Sequence, residues 1–483
     1  MGKRAFLCLL ALLLLLPPLL SSCFIVINRP GEDTTAPPAG ETLPPDTTAA
    51  RAALPDPAGE EKKAAQERLS SMMTRDMNGL SLIVSTSSAN LLGLEEGETT
   101  TLSRARYEMM EEIKEKYNAK ILAIEPENGD PLTGLREAKT AGIYYADLFL
   151  LPADQVGALA LAGYLTDLSS APFLALSADY YRQEAIRSAS SGERIYAVSG
   201  AAAEDPDRYA CLWYDRTLAE ARSLSLCDAV DAGAWTVEAL LSAVKAVRAE
   251  GEGAPAAILS RAPISVFAED LFLASDFRYS YVREVGRSDI FEPRGRAETF
   301  AGRLADLASG AFAQDGTPLS DGAFLDGGAL FCFGHLGDKR DFSVRAHDLC
   351  PLPLPKMDES QPDYVTPPDG TLYFSIVSDC ANIAESAVFI DALNCRAYGQ
   401  MREEYLSEFL NYFARDERSV DMVERIAGAV SFDLCCVFGP SLPDLHAGTA
   451  EVLTAAANGE SLIYRYNAAF YKALLALYTV TGG

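Results

Sequence analysis

Leu80-Ser81-Leu82-Ile83-Val84, Ala119-Lys120-Ile121-Leu122-Ala123-Ile124 and Tyr145-Ala146-Asp147-Leu148-Phe149-Leu150-Leu151 are three short runs of β-prone residues. Each pair is separated by a stretch with helical periodicity. From Ser103 to Tyr117, Ala105, Met109, Ile113 and Tyr117 fall on one face; Leu132 to Thr140 gives a second, shorter helix. Strand, helix, strand, helix, strand predicts a parallel sheet with crossover helices. Ligands of such sheets sit at the carboxyl ends of the strands. Here those ends are the polar loop from Ser85 to Asn90 and the turn Pro152-Ala153-Asp154-Gln155. A further short helix is expected before the first strand, from Glu60 to Met73.

The chain has 483 residues, 49% of them hydrophobic, so a large core is available. Setting aside the N-terminal lead-in leaves about 400 residues, enough for two lobes. Net charge is −27, from 68 acids against 41 bases. That balance argues against nucleic-acid binding, which wants a basic face, and against electrostatic docking to anionic lipid.

The N-terminus is of a different kind. Lys3-Arg4 precedes an apolar run from Ala5 to Leu19, and Leu20-Ser21-Ser22-Cys23 follows. A charged start, an apolar middle and small residues at a cut make a secretory signal peptide, residues 1–22. The Leu-small-small-Cys sequence resembles a bacterial lipobox, which implies lipidation of Cys23 and anchoring on the outer side of the cell membrane. An ordinary signal peptide with an incidental Cys is the plainer alternative. A spanning anchor fits less well, because Pro17-Pro18 interrupts a run already short of the roughly 20 apolar residues a span needs. Residues 23–58, with Thr34-Thr35-Ala36-Pro37-Pro38 and Leu43-Pro44-Pro45-Asp46-Thr47-Thr48, read as a Pro/Thr-rich tether with too few apolar side chains for a core.

Ten cysteines are present. Eight remain after Cys8 and Cys23, an even number that permits disulfides outside the cytoplasm. Several sit in apolar strand-like runs, such as Leu330-Phe331-Cys332-Phe333, and the expectation is mostly buried, free thiols. Cys332, His335, His347 and Cys350 form a symmetric quartet, but its spacing is not that of a structural zinc site, and no metal or other cofactor is assigned. There is no GxSxG elbow, HExxH or Walker loop, so no catalytic residues are named. A glycosidase needs only two carboxylates, and nothing in the sequence singles out a pair.

Several motifs occur in an order similar to that of the family 1 extracellular solute-binding proteins of ABC importers, above all the lipoprotein members of clostridia. They are Tyr145 to Pro152, Gly163-Tyr164-Leu165-Thr166-Asp167-Leu168, Gly192-Glu193-Arg194-Ile195-Tyr196, Leu212-Trp213-Tyr214-Asp215-Arg216, Trp235-Thr236-Val237-Glu238-Ala239-Leu240-Leu241, Pro351 to Lys356 and Arg415 to Met422. Asp215-Arg216 departs from the family's usual Asn-Lys, and Cys435-Cys436 stands where Gly is commoner.

The resemblance implies an α/β, two-lobed periplasmic-binding-protein-like fold of type II. Each lobe would be a mainly parallel sheet flanked by helices, with a hinge between lobes. Residues 78–207 plus 346–395 would form lobe one, and 208–345 plus 396–483 lobe two. It implies a monomeric receptor, not an enzyme, that closes on a small solute and hands it to ABC permease subunits. A carbohydrate is the first expectation, with peptide or polyamine as alternatives. A role in signalling to a sensor and a secreted glycan-active enzyme stay open behind these. Sugar clefts set aromatic faces and polar groups around the ring. The candidates are Thr86, Ser87, Asn90 and Asp154, with Trp213, Tyr214, His335, Tyr373 and Phe374. Trp235 is assigned instead to packing beside Thr236, a helix N-cap.

Overall fold

The computed structural model describes residues 57–441, except 95–99, 250–254, 344–347, 414–415, most of 291–323 and positions 263, 279, 285 and 286. The signal peptide, Cys23, the tether up to residue 56, His347 and everything from residue 442 lie outside the described residues.

Helix α1 (Pro57–Ser71) leads into strand β1 (Leu80–Ser85), helix α2 (Thr101–Tyr117), strand β2 (Ala119–Ile124), helix α3 (Pro131–Ala141), strand β3 (Leu148–Pro152) and helix α4 (Ala153–Leu161). The local chemistry explains the boundaries. The Thr100 hydroxyl accepts from the Ser103 amide to start α2, and Asn118 ends it in the left-handed region at φ 49°. The Asp130 carboxylate accepts from the amides of Leu132 and Thr133 to start α3. Strand β1 pairs in parallel with both β2 and β3, as the alternation predicts. Leu148 to Leu151 are wholly buried, which fits a central strand covered on both faces. The strand begins at Leu148 rather than Tyr145 because Asp147 is used as a knot. Its carboxylate accepts from the Ile83 amide at 2.8 Å and from Asn382 Nδ2 at 2.9 Å, tying the sheet to the segment that follows it.

The chain then leaves for a second sheet made of β4 (Ala210–Asp215), β5 (Ala256–Ser260), β6 (Ala329–His335) and β7 (Leu349–Leu352). It returns with β8 (Leu372–Ile376), which closes the first sheet antiparallel to β3. The first sheet has the order β8-β3-β1-β2 and the second the order β7-β4-β6-β5. The first is mainly parallel, as expected. The second is mixed: β6 pairs in parallel with β5 but antiparallel with β4, and β4 is antiparallel to β7. The one pair consecutive in the chain, β5 and β6, is parallel, whereas both antiparallel pairs join strands that are not consecutive.

Alternation along β4 divides the molecule. Ala210, Leu212 and Tyr214 face one core with helices α5 (Val237–Arg248) and α6 (Ile264–Ala274). Cys211 and Trp213 face the other core, which is continuous with that of the first sheet. Thr236 caps α5 by accepting from the Ala239 amide, and the buried Trp235 donates to the Pro353 carbonyl at 2.9 Å, so its assignment to packing holds. Helix α7 (Ile383–Ala397), almost wholly buried, and α8 (Gln400–Tyr412) pack on α1 and α2. Helix α9 (Glu417–Gly428) packs on β7, and α10 (Leu434–Phe438) lies on α4.

Three segments pack differently from the sequence expectation. Residues 349–352 pair with the second sheet rather than joining lobe one, because Cys350 continues the ladder opposite Tyr214. Residues 400–412 and 434–438 pack on the first sheet's helices rather than joining lobe two. Their apolar faces match α1, α2 and α4, a partner choice that periodicity alone does not encode.

Candidate functional site

Three passes between the sheets lie side by side. Glu204 bridges to Thr371, the Asp205 amide donates to the Gly370 carbonyl at 2.7 Å, and the Leu372 amide donates to Ala203 at 2.9 Å. Thr366 bridges in turn to Val430. The crossing is tight: a Cβ on Gly370 would lie 2.5 Å from the Asp205 carbonyl and 2.6 Å from the ring of the buried Tyr209.

Polar groups from both sheets converge on this crossing. Asp154, at the start of α4, comes from the carboxyl end of β3. His335, the last residue of β6, comes from the second sheet. Between them lie Asp205 and Arg208 of the first pass and Asp369 of the second, with Glu269 and Asp270 on α6. Arg208 is exposed and makes no ion pair among the described residues, yet its charge acts on Asp154, Asp205, His335 and Asp369 together.

The electrostatics are those of a crevice. Asp154 and Asp369 reach solvent. Nevertheless, loss of water around each raises its carboxyl above the usual range, against the pull of Arg208. Asp270 is only 4% exposed and its Oδ2 has no hydrogen-bond partner among the described residues. Burial, then the neighbouring charges of Asp369 and Glu269, push it well above the carboxylate range. Burial lowers the His335 imidazole below its ordinary value, with Asp369 opposing. Three carboxyls and one imidazole thus lie within the field of a single arginine. A recess of about 10 Å³, room for little more than one water, lies beside Thr366 and Pro367 of the crossing, with Leu273, Phe277, Phe432 and Cys436 among its walls. Its apolar walls come from α6, the crossing and α10.

Of the nine candidates read from the sequence, Asp154 and His335 both lie within the field of Arg208 and Asp369. Ser87 and Asn90 are exposed in the loop after β1. Thr86 is buried, its amide donating to Ile124 and its hydroxyl accepting from the Ser88 amide at 3.0 Å, so it shapes that loop. The structure places the four aromatic candidates in the core. Trp213 is fully buried against Phe342, Phe409 and Phe413, and Tyr214 reaches the Cys227 sulfur at 3.2 Å. Tyr373 pairs with the Ser188 hydroxyl at 3.1 Å, and Phe374 is fully buried. Strand positions with both faces covered leave an aromatic ring no open side. Cys332 and Cys350, half of the histidine–cysteine quartet, lie in different cores. No group of three or more potential metal ligands occurs among the described residues.

Arg208, Asp205, Asp369 and Asp270 are absent from the sequence reading. Asp205-Pro206-Asp207-Arg208 and Pro367-Pro368-Asp369-Gly370 do carry a signal, as charged turns between apolar runs. Only the pairing of the two passes makes them neighbours.

No protein-family model matches the chain. No curated protein matches it either. Solved structures do. The GacH receptor of Streptomyces glaucescens, determined unliganded and in complex with acarbose, aligns with a TM-score of 0.51 at 15% identity, over 84% of this chain and 99% of that one. The ABC substrate-binding protein Lmo0181 of Listeria monocytogenes, determined with cycloalternan, aligns with a TM-score of 0.48 at 13% identity, over 84% and 99%. With two helix-flanked sheets joined by paired crossing segments, this chain has the α/β, periplasmic-binding-protein-like fold of which the GacH receptor is an example.

Proposed function

We propose that this protein is an extracytoplasmic solute receptor that closes two lobes over a small carbohydrate and delivers it to an ABC importer. The observation that carries the reading is the polar cluster at the crossing, to which both sheets and the hinge contribute side chains. A solute bound there touches Asp154 and His335 together only when the lobes are closed, so it favours closure by its extra contacts. Sugar hydroxyls are donors, and the cluster is rich in acceptors. The GacH receptor's complex with acarbose supports the choice of a carbohydrate. Lobe one then comprises the first sheet with α1 to α4, α7, α8 and α10, and lobe two the second sheet with α5, α6 and α9. Cys23 carries the lipid that holds the receptor at the membrane, and residues 23–56 lift it off the surface. The receptor acts as a monomer and breaks no bond in its ligand. No helix of the described residues is long and apolar enough to cross a membrane.

A second reading rests on charge. Asp154, Asp205, Glu269 and Asp369 outnumber Arg208 at the cluster, which suits a solute with an ammonium group, such as a polyamine or an aminated sugar.

A thermal-shift screen separates the readings. A ligand at 100 times its dissociation constant adds about 2.7 kcal/mol to the folded state, a rise of a few degrees in a chain of this size. A rise with neutral oligosaccharides, recovered unchanged and lost in Arg208→Ala, supports the carbohydrate receptor. A rise confined to polyamines or amino sugars, lost in Asp154→Asn, selects the cationic solute. Cleaved sugar in the supernatant overturns the receptor reading. Replacing Cys23 with Ala should release the protein from membranes; retention of the unprocessed chain would refute the lipid anchor.

A further inference from the structure

Two cysteines far apart in sequence meet inside the second core. Cys227 lies in the short helix Leu226–Asp231 and Cys350 in strand β7, and their sulfurs are 3.8 Å apart. Cys350 is completely buried, whereas Cys227 keeps 7% exposure. Their surroundings differ in the way thiol–disulfide exchange requires. The hydrogen bond from Cys350 and that from the Tyr214 hydroxyl, with the charges of Arg216 and Arg418 beside them, outweigh burial and bring the Cys227 thiol down to about 6. Burial and the facing Cys227 raise Cys350 well above its ordinary value. The pair thus sets a thiol near the edge of the core, drawn down by its neighbours, against one that is wholly enclosed.

We propose that Cys227 and Cys350 are an oxidation site that closes to a disulfide, stitching the Leu226–Asp231 helix to β7 across a separation of 123 residues. The Cys227 thiolate attacks one sulfur of a low-molecular-weight disulfide such as oxidised glutathione, giving a mixed disulfide and one glutathione thiolate. That thiolate takes the proton of Cys350. The Cys350 sulfur then attacks the Cys227 sulfur, and the second glutathione leaves. Two protein thiols are oxidised while one glutathione disulfide is reduced to two thiols. The sulfurs, 3.8 Å apart, must close to the bonded distance of about 2.05 Å. A cross-link over so long a loop constrains the unfolded chain strongly.

The test uses the full chain, reduced and then equilibrated with oxidised glutathione, followed by non-reducing digestion and mass spectrometry. The expected product is a Cys227–Cys350 linked peptide lighter by two hydrogen atoms, with a melting temperature several degrees above that of the reduced protein. In Cys350→Ala the reaction should stop at glutathionylated Cys227. Brief alkylation of the reduced native protein, which needs no variant, should label Cys227 ahead of Cys350. Equal resistance of both to alkylation with no linked peptide, or linkage of either to another cysteine, overturns the proposal. A linked peptide with no change in melting temperature overturns its stabilising role.

Discussion

The indole nitrogen of Trp213 donates to the main-chain carbonyl of His335 at 3.0 Å, joining the middle of β4 to the end of β6. The same ring stacks on Phe409 and Phe413, 6.4 and 5.4 Å away between centroids, and meets Phe342 edge-on at 5.1 Å. A residue that reads as a sugar platform is thus a structural rivet that fixes the strand end from which His335 reaches the crossing.

Trp213→Ala should therefore cost about 3–5 kcal/mol of stability through the cavity it leaves and the unpaired His335 carbonyl. Urea unfolding followed by circular dichroism reads this directly. If stability stays within 0.5 kcal/mol, roughly the spread of ordinary surface changes, and only ligand affinity falls, Trp213 lines the ligand site after all.

Lys339 has a fully buried side chain, paired with Asp207 of the first crossing pass, while the Tyr405 hydroxyl of α8 donates to the same carboxylate at 2.9 Å. Burial works to raise Asp207, and Lys339 overrides it, holding the carboxyl below its usual range. Asp207→Asn should strand a buried ammonium and cost about 3–5 kcal/mol. The double change with Lys339→Met should recover part of that loss. Additive losses in the two single variants and the double would show that the pair is not coupled.

Two groups of residues lower stability on acidification, against the opposite pull of the raised carboxyls Asp154, Asp270 and Asp369. His335 is held neutral by burial, so its folded value lies below the unfolded one near 6.5. Between those values the unfolded chain binds the extra proton, and stability rises with pH. His335→Gln should flatten the melting-temperature slope between pH 5 and pH 7. The slope left below pH 5 belongs to depressed carboxyls. Glu112, where burial is overridden by Arg396 and Gln66, is one; Asp207 is another. Their stabilisation is present above the unfolded carboxyl value and lost as pH drops through the folded one. An unchanged slope in His335→Gln would assign the upper part of the profile elsewhere.

Gly157 on α4 lies under α10, and a Cβ there would sit 1.9 Å from the Val437 carbonyl oxygen. Gly157→Ala should destabilise by about 1–3 kcal/mol by prising the two helices apart. Gly302, where a Cβ would meet nothing within 4 Å, is the control and should tolerate Ala without loss. Equal effects at the two positions would mean that α10 does not rest on α4 in solution.

The first sheet was legible because its cause is local. Leu80 to Val84, Ala119 to Ile124 and Leu148 to Leu151 are apolar runs bounded by turn residues, and α2 shows both its cap and its buried stripe in the sequence. The second sheet was not, since Cys350 opposite Tyr214 is a pairing between segments far apart along the chain. The site shows the same division. Asp154 and His335 follow from the rule that strand ends face the ligand. Asp369 sits in a turn that looks ordinary until the crossing places it beside Asp270. The aromatic candidates are buried instead, because residue type reveals what a ring can do, while the covering of both faces of a strand decides where it lies.

The protein has two tryptophans, Trp213 and Trp235. Trp235 is locked within the second core, whereas Trp213 is clamped by α8, a helix that rests on the first sheet's helices. In the proposed closure, rotation of one lobe against the other shears the rings around Trp213 and leaves those around Trp235 in place. With Trp235→Phe as the silent background, the emission of a single indole would then be an optical gauge of that motion, without any attached dye.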